Sequence, residues 1–131
     1  MAKRFLKPEL NKANKIFWES LKEEKFLIQK CKACGEAFFP PRLICPECLS
    51  EDITSIESKG IGILYAYTEI HARTPGFKTP FIVGLIELDE KPGRFLTRID
   101  ASYDSLHIGQ RMKIKYEHYK DFSVHYFMSL K

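Results

Sequence analysis

Apolar positions along this chain change their spacing twice, and the changes divide it into three parts. Across residues 10–25, Leu10, Ala13, Phe17 and Leu21 recur at steps of three and four, with Lys12, Lys15, Glu19, Lys22 and Glu23 on the other faces. That spacing predicts an amphipathic helix, whose apolar stripe is widened by Ile16 and Trp18. From Phe26 the pattern shortens. Residues 26–29 and 37–39 read as brief strands, and Pro40-Pro41 stops regular pairing. From Ile53 onward β-formers dominate, with strands predicted over 61–70, 81–88 and 94–99 and a terminal hairpin of 110–118 and 122–130. Five strands, with a longer interruption between the third and fourth, suit a small closed barrel of the oligonucleotide/oligosaccharide-binding (OB) type. An SH3-like barrel or an open sheet is the alternative. The chain therefore reads as mainly β with an N-terminal helix: a helical arm at 1–25, a ribbon at 26–52 and a barrel at 53–131.

The middle part holds the sharpest chemistry. Cys31, Cys34, Cys45 and Cys48 are the only cysteines in the chain, arranged as two Cys-x-x-Cys pairs. Each pair turns two thiolates toward one point, and two pairs complete the tetrahedral ligand set of one structural Zn2+. Such a closed site has no open position for activating water. It also leaves no free thiol for acyl transfer. The competing reading is two disulfides or a redox pair. Against it, the N-terminal MAKRFLKPEL is basic and lacks the apolar core of a signal peptide. A cytoplasmic chain keeps its thiols for metal, intracellular disulfides of hyperthermophiles being the exception.

Charge refines this picture. The chain carries 21 basic and 17 acidic residues. Residues 1–30 hold eight Lys/Arg against four acids, and residues 31–58 hold two against five. Proteins gripping nucleic acid through phosphates are usually more basic and more clustered. No apolar run approaches the roughly 18 residues that a membrane span requires.

Helix, four-cysteine ribbon and five-stranded barrel, in that order, resemble a known family over nearly the whole chain. The residues carrying the likeness are Phe17-Trp18-Glu19-Ser20-Leu21-Lys22, Cys31-Lys32-Ala33-Cys34-Gly35, and Phe39-Pro40-Pro41-Arg42 before Cys45-Pro46-Glu47-Cys48. They continue through residues 60–68, Pro75-Gly76-Phe77 and residues 80–88. This series resembles the acyl-CoA-associated family with a rubredoxin-like zinc ribbon and an OB-fold, known as domain of unknown function 35. Leu49, following the second cysteine pair, departs from its pattern. The resemblance implies a non-catalytic subunit that binds a thiolase-type enzyme: a thiolase, a hydroxymethylglutaryl-CoA synthase or a thiolase-like aldolase. Such a subunit completes the complex, shapes its acyl-CoA channel or bridges two enzymes, and the catalytic cysteine and histidine belong to the partner.

Candidate contacts follow from the OB reading, in which ligands approach the loop between the first two barrel strands. Here that loop spans residues 71–80. Arg73 and Lys78 are candidates for a phosphate of coenzyme A or acyl-CoA, and Phe77 for its adenine or a partner surface. An ordinary solvated loop is the alternative. Arg42, stiffened by two prolines, is a further candidate for phosphate or a partner carboxylate, against a local salt bridge. Trp18 is a candidate partner anchor, against packing on the protein's own core. None of His71, His107, His118 and His125 stands at ligand spacing from the cysteines, and barrel histidines are usually structural.

Two other functions are testable. A single-stranded nucleic-acid-binding module draws support from Arg94, Arg98, Arg111, Lys113 and Lys115 beside aromatic residues. The modest charge and the short final hairpin turn run against it. A free-standing acyl-CoA hydrolase lacks a recognisable nucleophile–base pair in the sequence.

Overall fold

The structure, a computed structural model, describes residues 7–130. The first six residues of the predicted arm, and Lys131, lie outside the described residues. The elements are α1 (Lys15–Lys22), β1 (Phe26–Cys31), β2 (Ala37–Phe38), β3 (Ile53–Ser58), β4 (Ile61–Ile70), β5 (Phe81–Leu88), β6 (Arg94–Ile99), a 3-10 turn (Tyr103–Ser105), β7 (Arg111–His118) and β8 (Ser123–Ser129). No helix among the described residues is long and apolar enough to cross a membrane.

The helix is shorter than the apolar spacing predicts, because side chains at both ends favour other conformations. The Asn11 side-chain oxygen accepts from the N–H groups of Ala13 and Asn14, and that of Asn14 accepts from the Asn11 N–H. These bonds hold residues 11–14 in a turn, as asparagine often does ahead of a helix. At the other end Glu24 takes a left-handed φ of 59°, which ends the helix. Phe17 and Leu21 remain as its buried face.

The expected closed barrel is present, in the order β4-β5-β6-β8-β7. Closure comes from β4 pairing with β7 and from β6 running parallel to β8. Alternation along β5 is regular, with Ile82, Ile86 and Leu88 inside the barrel. Gly62 sits where β4 presses on β5. A Cβ there would lie 2.3 Å from the Glu87 carbonyl oxygen and 2.7 Å from the Leu88 Cα.

One element falls on the other side of the expected boundary. The change of pattern at Ile53 assigned residues 53–58 to the barrel, but β3 pairs along the full length of β1, from Phe26–Ser58 to Cys31–Ile53. It completes a three-stranded sheet in the order β2-β1-β3. A ribbon strand and a barrel strand have the same β-forming composition, so composition does not separate them.

Aromatic rings join the three parts. Phe17 of α1 meets Phe26 of β1 edge-on at 5.4 Å, and Phe39 at 5.2 Å. Phe26 and Phe39 in turn reach Phe95 of β6 at 5.4 and 5.1 Å. His125 of β8 stands edge-on to Phe17, Phe26, Phe95 and Phe127, with Nδ1 3.0 Å from the Thr97 hydroxyl. Packed rings at these distances add about 0.5–1.5 kcal/mol per pair beyond their burial.

Candidate metal centre

Both Cys-x-x-Cys segments fold into the same knuckle. In the first, the Gly35 N–H donates to the Cys31 carbonyl at 2.8 Å and the Cys31 N–H to Glu36 at 2.9 Å. In the second, the Leu49 N–H donates to Cys45 at 3.0 Å and the Cys45 N–H to Ser50 at 2.9 Å. Each knuckle needs a left-handed residue after its second cysteine, with φ of 81° at Gly35 and 66° at Leu49. Glycine takes this conformation freely, whereas leucine pays roughly 1 kcal/mol or more.

The four sulfur atoms lie within 4.8 Å of one another. Cys31 Sγ is 3.5 Å from Cys48 Sγ, and Cys34 Sγ is 3.7 Å from Cys45 Sγ. Tetrahedral zinc with Zn–S bonds of 2.3 Å sets S···S at about 3.8 Å, so the donor set fits such an ion. Cys31 and Cys45 are fully buried, and Cys34 and Cys48 face solvent. As free thiols they conflict. The Cys34 N–H lowers Cys31 to about 7. An N–H from Glu36 favours the Cys34 thiolate, but partial loss of water around its sulfur within the cluster and the neighbouring thiols push it up to about 12. A shared cation removes the conflict by stabilising all four thiolates together.

The other predicted contacts do not gather at one place. Phe77 and Lys78 line a cleft of about 570 Å³ at one end of the barrel, where Phe77 stacks on Phe81 at 4.5 Å. The same cleft is lined by Glu69, Asp100 and Asp104, with Lys78 and Arg98 as its cations. Arg73 is exposed on the same loop and is not part of that lining. Arg42 is exposed on the ribbon before the second knuckle. Trp18 is half-buried, edge-on to Phe17 at 5.3 Å, and lines a cleft of about 290 Å³ with Phe39, Pro40 and Pro41.

Three of the five cations that favoured nucleic acid are held by carboxylates. Arg111 makes a two-pronged pair with Asp89 at 2.8 and 2.9 Å, Arg98 pairs with Glu117, and Arg94 lies 3.9 Å from Glu87 while covering Tyr65. Lys113 and Lys115 line a separate cleft with Glu24 and Glu57.

One arrangement escapes the sequence. His118 Nδ1 lies 2.6 Å from the Ser123 hydroxyl, and its Nε2 lies 2.8 Å from Glu24. Ser-His-Glu is a hydrolytic trio in outline. Ser123, however, is only 2% exposed, so a substrate carbonyl has no approach to its oxygen. The trio instead ties the end of the helix to the terminal hairpin. Glu24 and His118 are 94 residues apart, and no local pattern announces the contact.

Comparison with known proteins also separates a ribbon from a barrel, with the boundary inside β3. Residues 18–54 match the model of the ChsH2 rubredoxin-like zinc ribbon domain, and residues 55–117 match that of the ChsH2 C-terminal OB-fold domain. The chain is 33% identical over 104 residues to a probable enoyl-CoA hydratase alpha subunit of Thermomonospora curvata, covering 79% of this chain but 33% of that protein. It thus spans a third of that relative's length. It is 30% identical over 108 residues to a DUF35 domain-containing scaffold protein of Methanocaldococcus jannaschii, covering 79% of this chain and 77% of that one. The benzoylsuccinyl-CoA thiolase subunit BbsA of Thauera aromatica is 34% identical over 61 residues, covering 47% of this chain and 42% of that one. Among solved structures, the Ltp2-ChsH2(DUF35) aldolase contains a chain that superimposes with a TM-score of 0.84 at 29% identity, covering 94% of this chain and 98% of that one. Ribbon, barrel and relatives agree, and the chain belongs to the ChsH2 family of rubredoxin-like zinc ribbon and OB-fold proteins, the domain of unknown function 35 group.

Proposed function

We propose that the chain is a non-catalytic accessory subunit that binds a thiolase-type acyl-CoA enzyme, completes its acyl-CoA channel or bridges components of the complex, and carries one structural Zn2+. The observation that carries this reading is the near end-to-end likeness to a chain of the Ltp2-ChsH2(DUF35) aldolase. A relative named as a thiolase subunit and another named as a scaffold protein point the same way. The chemistry of the chain agrees with it. All four cysteines sit in one cluster, and the serine of the Ser-His-Glu arrangement is enclosed. Zinc held by four thiolates stiffens the ribbon without supplying a reactive water.

Coenzyme A contact is the finer part of the proposal. Lys78 and Phe77 at the barrel cleft, with Arg73 beside it, are the groups offered to the nucleotide end, while Arg42 and Trp18 are offered to the partner. The acids of that cleft disfavour a phosphate unless a partner contributes further cations.

Co-expression with the thiolase-type enzyme of the same source tests the proposal. A stable complex, with thioester chemistry in the complex and none in the isolated chain, is expected. Turnover of acyl-CoA by the purified chain alone, or failure to form that complex, would overturn it.

A further inference from the structure

The two knuckles share one backbone, yet one carries a side chain that this backbone does not require. Gly35 and Leu49 occupy equivalent positions, with matching hydrogen bonds and left-handed φ values. The first knuckle shows that glycine serves the turn. The second keeps a leucine there and leaves it 74% exposed. Among the described residues two other non-glycine residues have positive φ, Glu24 and Lys91, and both carry charged side chains suited to water. Leu49 alone combines a disfavoured backbone with an apolar side chain in solvent. The same loop exposes Leu43 by 56% and Ile44 by 47%. Neither exposure nor strain benefits the isolated chain, and large apolar side chains grouped in solvent commonly mark interaction surfaces.

We propose that Leu43, Ile44 and Leu49 form the surface by which this chain docks into an apolar hollow with a basic rim on its thiolase-type partner, an inference that rests on the function proposed above. Charge selects this occupant. Glu47, Glu51 and Asp52 flank the three side chains in sequence and are exposed, against one exposed cation, Arg42 beside Leu43. Residues 31–58 carry five acids against two cations, so the rim is acidic on balance. An apolar centre within a charged rim is the usual anatomy of a specific interface, and the rim fixes the sign that a partner must present. The metal clamp holds the loop in shape before encounter, so docking orders little additional backbone.

Leu49→Gly separates this role from a structural one. Binding is measured by calorimetry between the purified chain and the purified thiolase-type enzyme of the same source. The variant is expected to keep or raise its thermal midpoint and metal content while binding about tenfold or more weakly, as loss of an interface anchor does. Ile44→Ser is expected to weaken binding in the same direction, and Glu51→Lys to slow association at low salt. Wild-type affinity in both Leu49→Gly and Ile44→Ser would overturn this surface while leaving the accessory function intact. A wild-type chain that forms no complex with the enzyme would overturn the functional reading and the surface with it. Self-association of the wild type that Leu49→Gly abolishes would make a second copy the occupant, also overturning the assignment to an enzyme partner.

Discussion

Phe26 and Phe95 stack with ring centroids 5.4 Å apart and planes 25° from parallel, one ring from the ribbon and the other from the barrel. Phe17 and Phe39 close on the same pair, so the helix, ribbon and barrel share one apolar cluster. Phe26→Ala should therefore cost about 3–5 kcal/mol, as removal of a buried ring does. Urea unfolding followed separately by metal release and by far-ultraviolet dichroism should give coincident transitions for the wild type. Two well-separated transitions would show that the ribbon and barrel fold independently.

His125 makes stability depend on pH in a defined direction. Burial among the rings, reinforced by the Arg98 charge, lowers its pKa from 6.5 to about 4. The unfolded chain therefore binds the proton more readily between these values. The contribution is fully present above about pH 6.5 and is lost as pH falls toward 4, amounting to ~3 kcal/mol. His125→Gln should flatten that part of the stability profile relative to wild type. Parallel profiles for the two proteins would show that the imidazole does not drive it.

Gly62→Ala should damage the barrel seam. The added carbon meets backbone on β5 rather than a movable side chain. A loss of about 2 kcal/mol or more is expected, in the upper range for single substitutions. A thermal midpoint equal to wild type would contradict the close approach of β4 and β5.

Metal removal should expose the thiols in two stages. With a strong chelator present, Cys34 and Cys48 should be alkylated before Cys31 and Cys45, because only the first two face solvent. An enclosed sulfur is out of reach even where, as at Cys31, its thiolate is the more favoured. About one zinc per chain is expected before treatment. Mass spectrometry reads both quantities, and equal labelling of all four cysteines at the earliest time would mean that the ribbon opens as a whole.

Ser123→Ala tests whether the His118 contact is structural. The hydroxyl is enclosed and held by His118, so its loss should cost about 1–2 kcal/mol of stability. Activity of the enzyme complex should remain at the wild-type level. A selective loss of turnover in a stably folded variant would restore a catalytic reading of the serine.

Much of the fold was legible because its signals are local. Cysteine spacing marked both knuckles, and alternation along residues 81–88 marked a strand with one buried face. The pairing of residues 53–58 was not legible, because a β-forming segment does not state its partner, and β3 finds β1 across the knuckles. The helix began later than its apolar spacing implied because Asn11 and Asn14 bond to nearby backbone groups. Sequence also marked Leu49 as unusual without showing why. Its left-handed φ and its exposure arise only in the folded chain, as does the meeting of Glu24, His118 and Ser123.

The crossing from ribbon to barrel has a mechanical consequence. Only Lys59 and Gly60 separate β3 from β4. Glu90 accepts from the Ser58 hydroxyl at 2.8 Å and from the Lys59 N–H at 2.9 Å, while the Ser58 oxygen accepts from the Gly60 N–H at 3.0 Å. A carboxylate from the turn after β5, which lies beside the start of β4, thus latches the one covalent path between the two sheets. The result is a fixed strut: whatever grips the knuckles is set at a constant angle and distance from whatever meets the barrel.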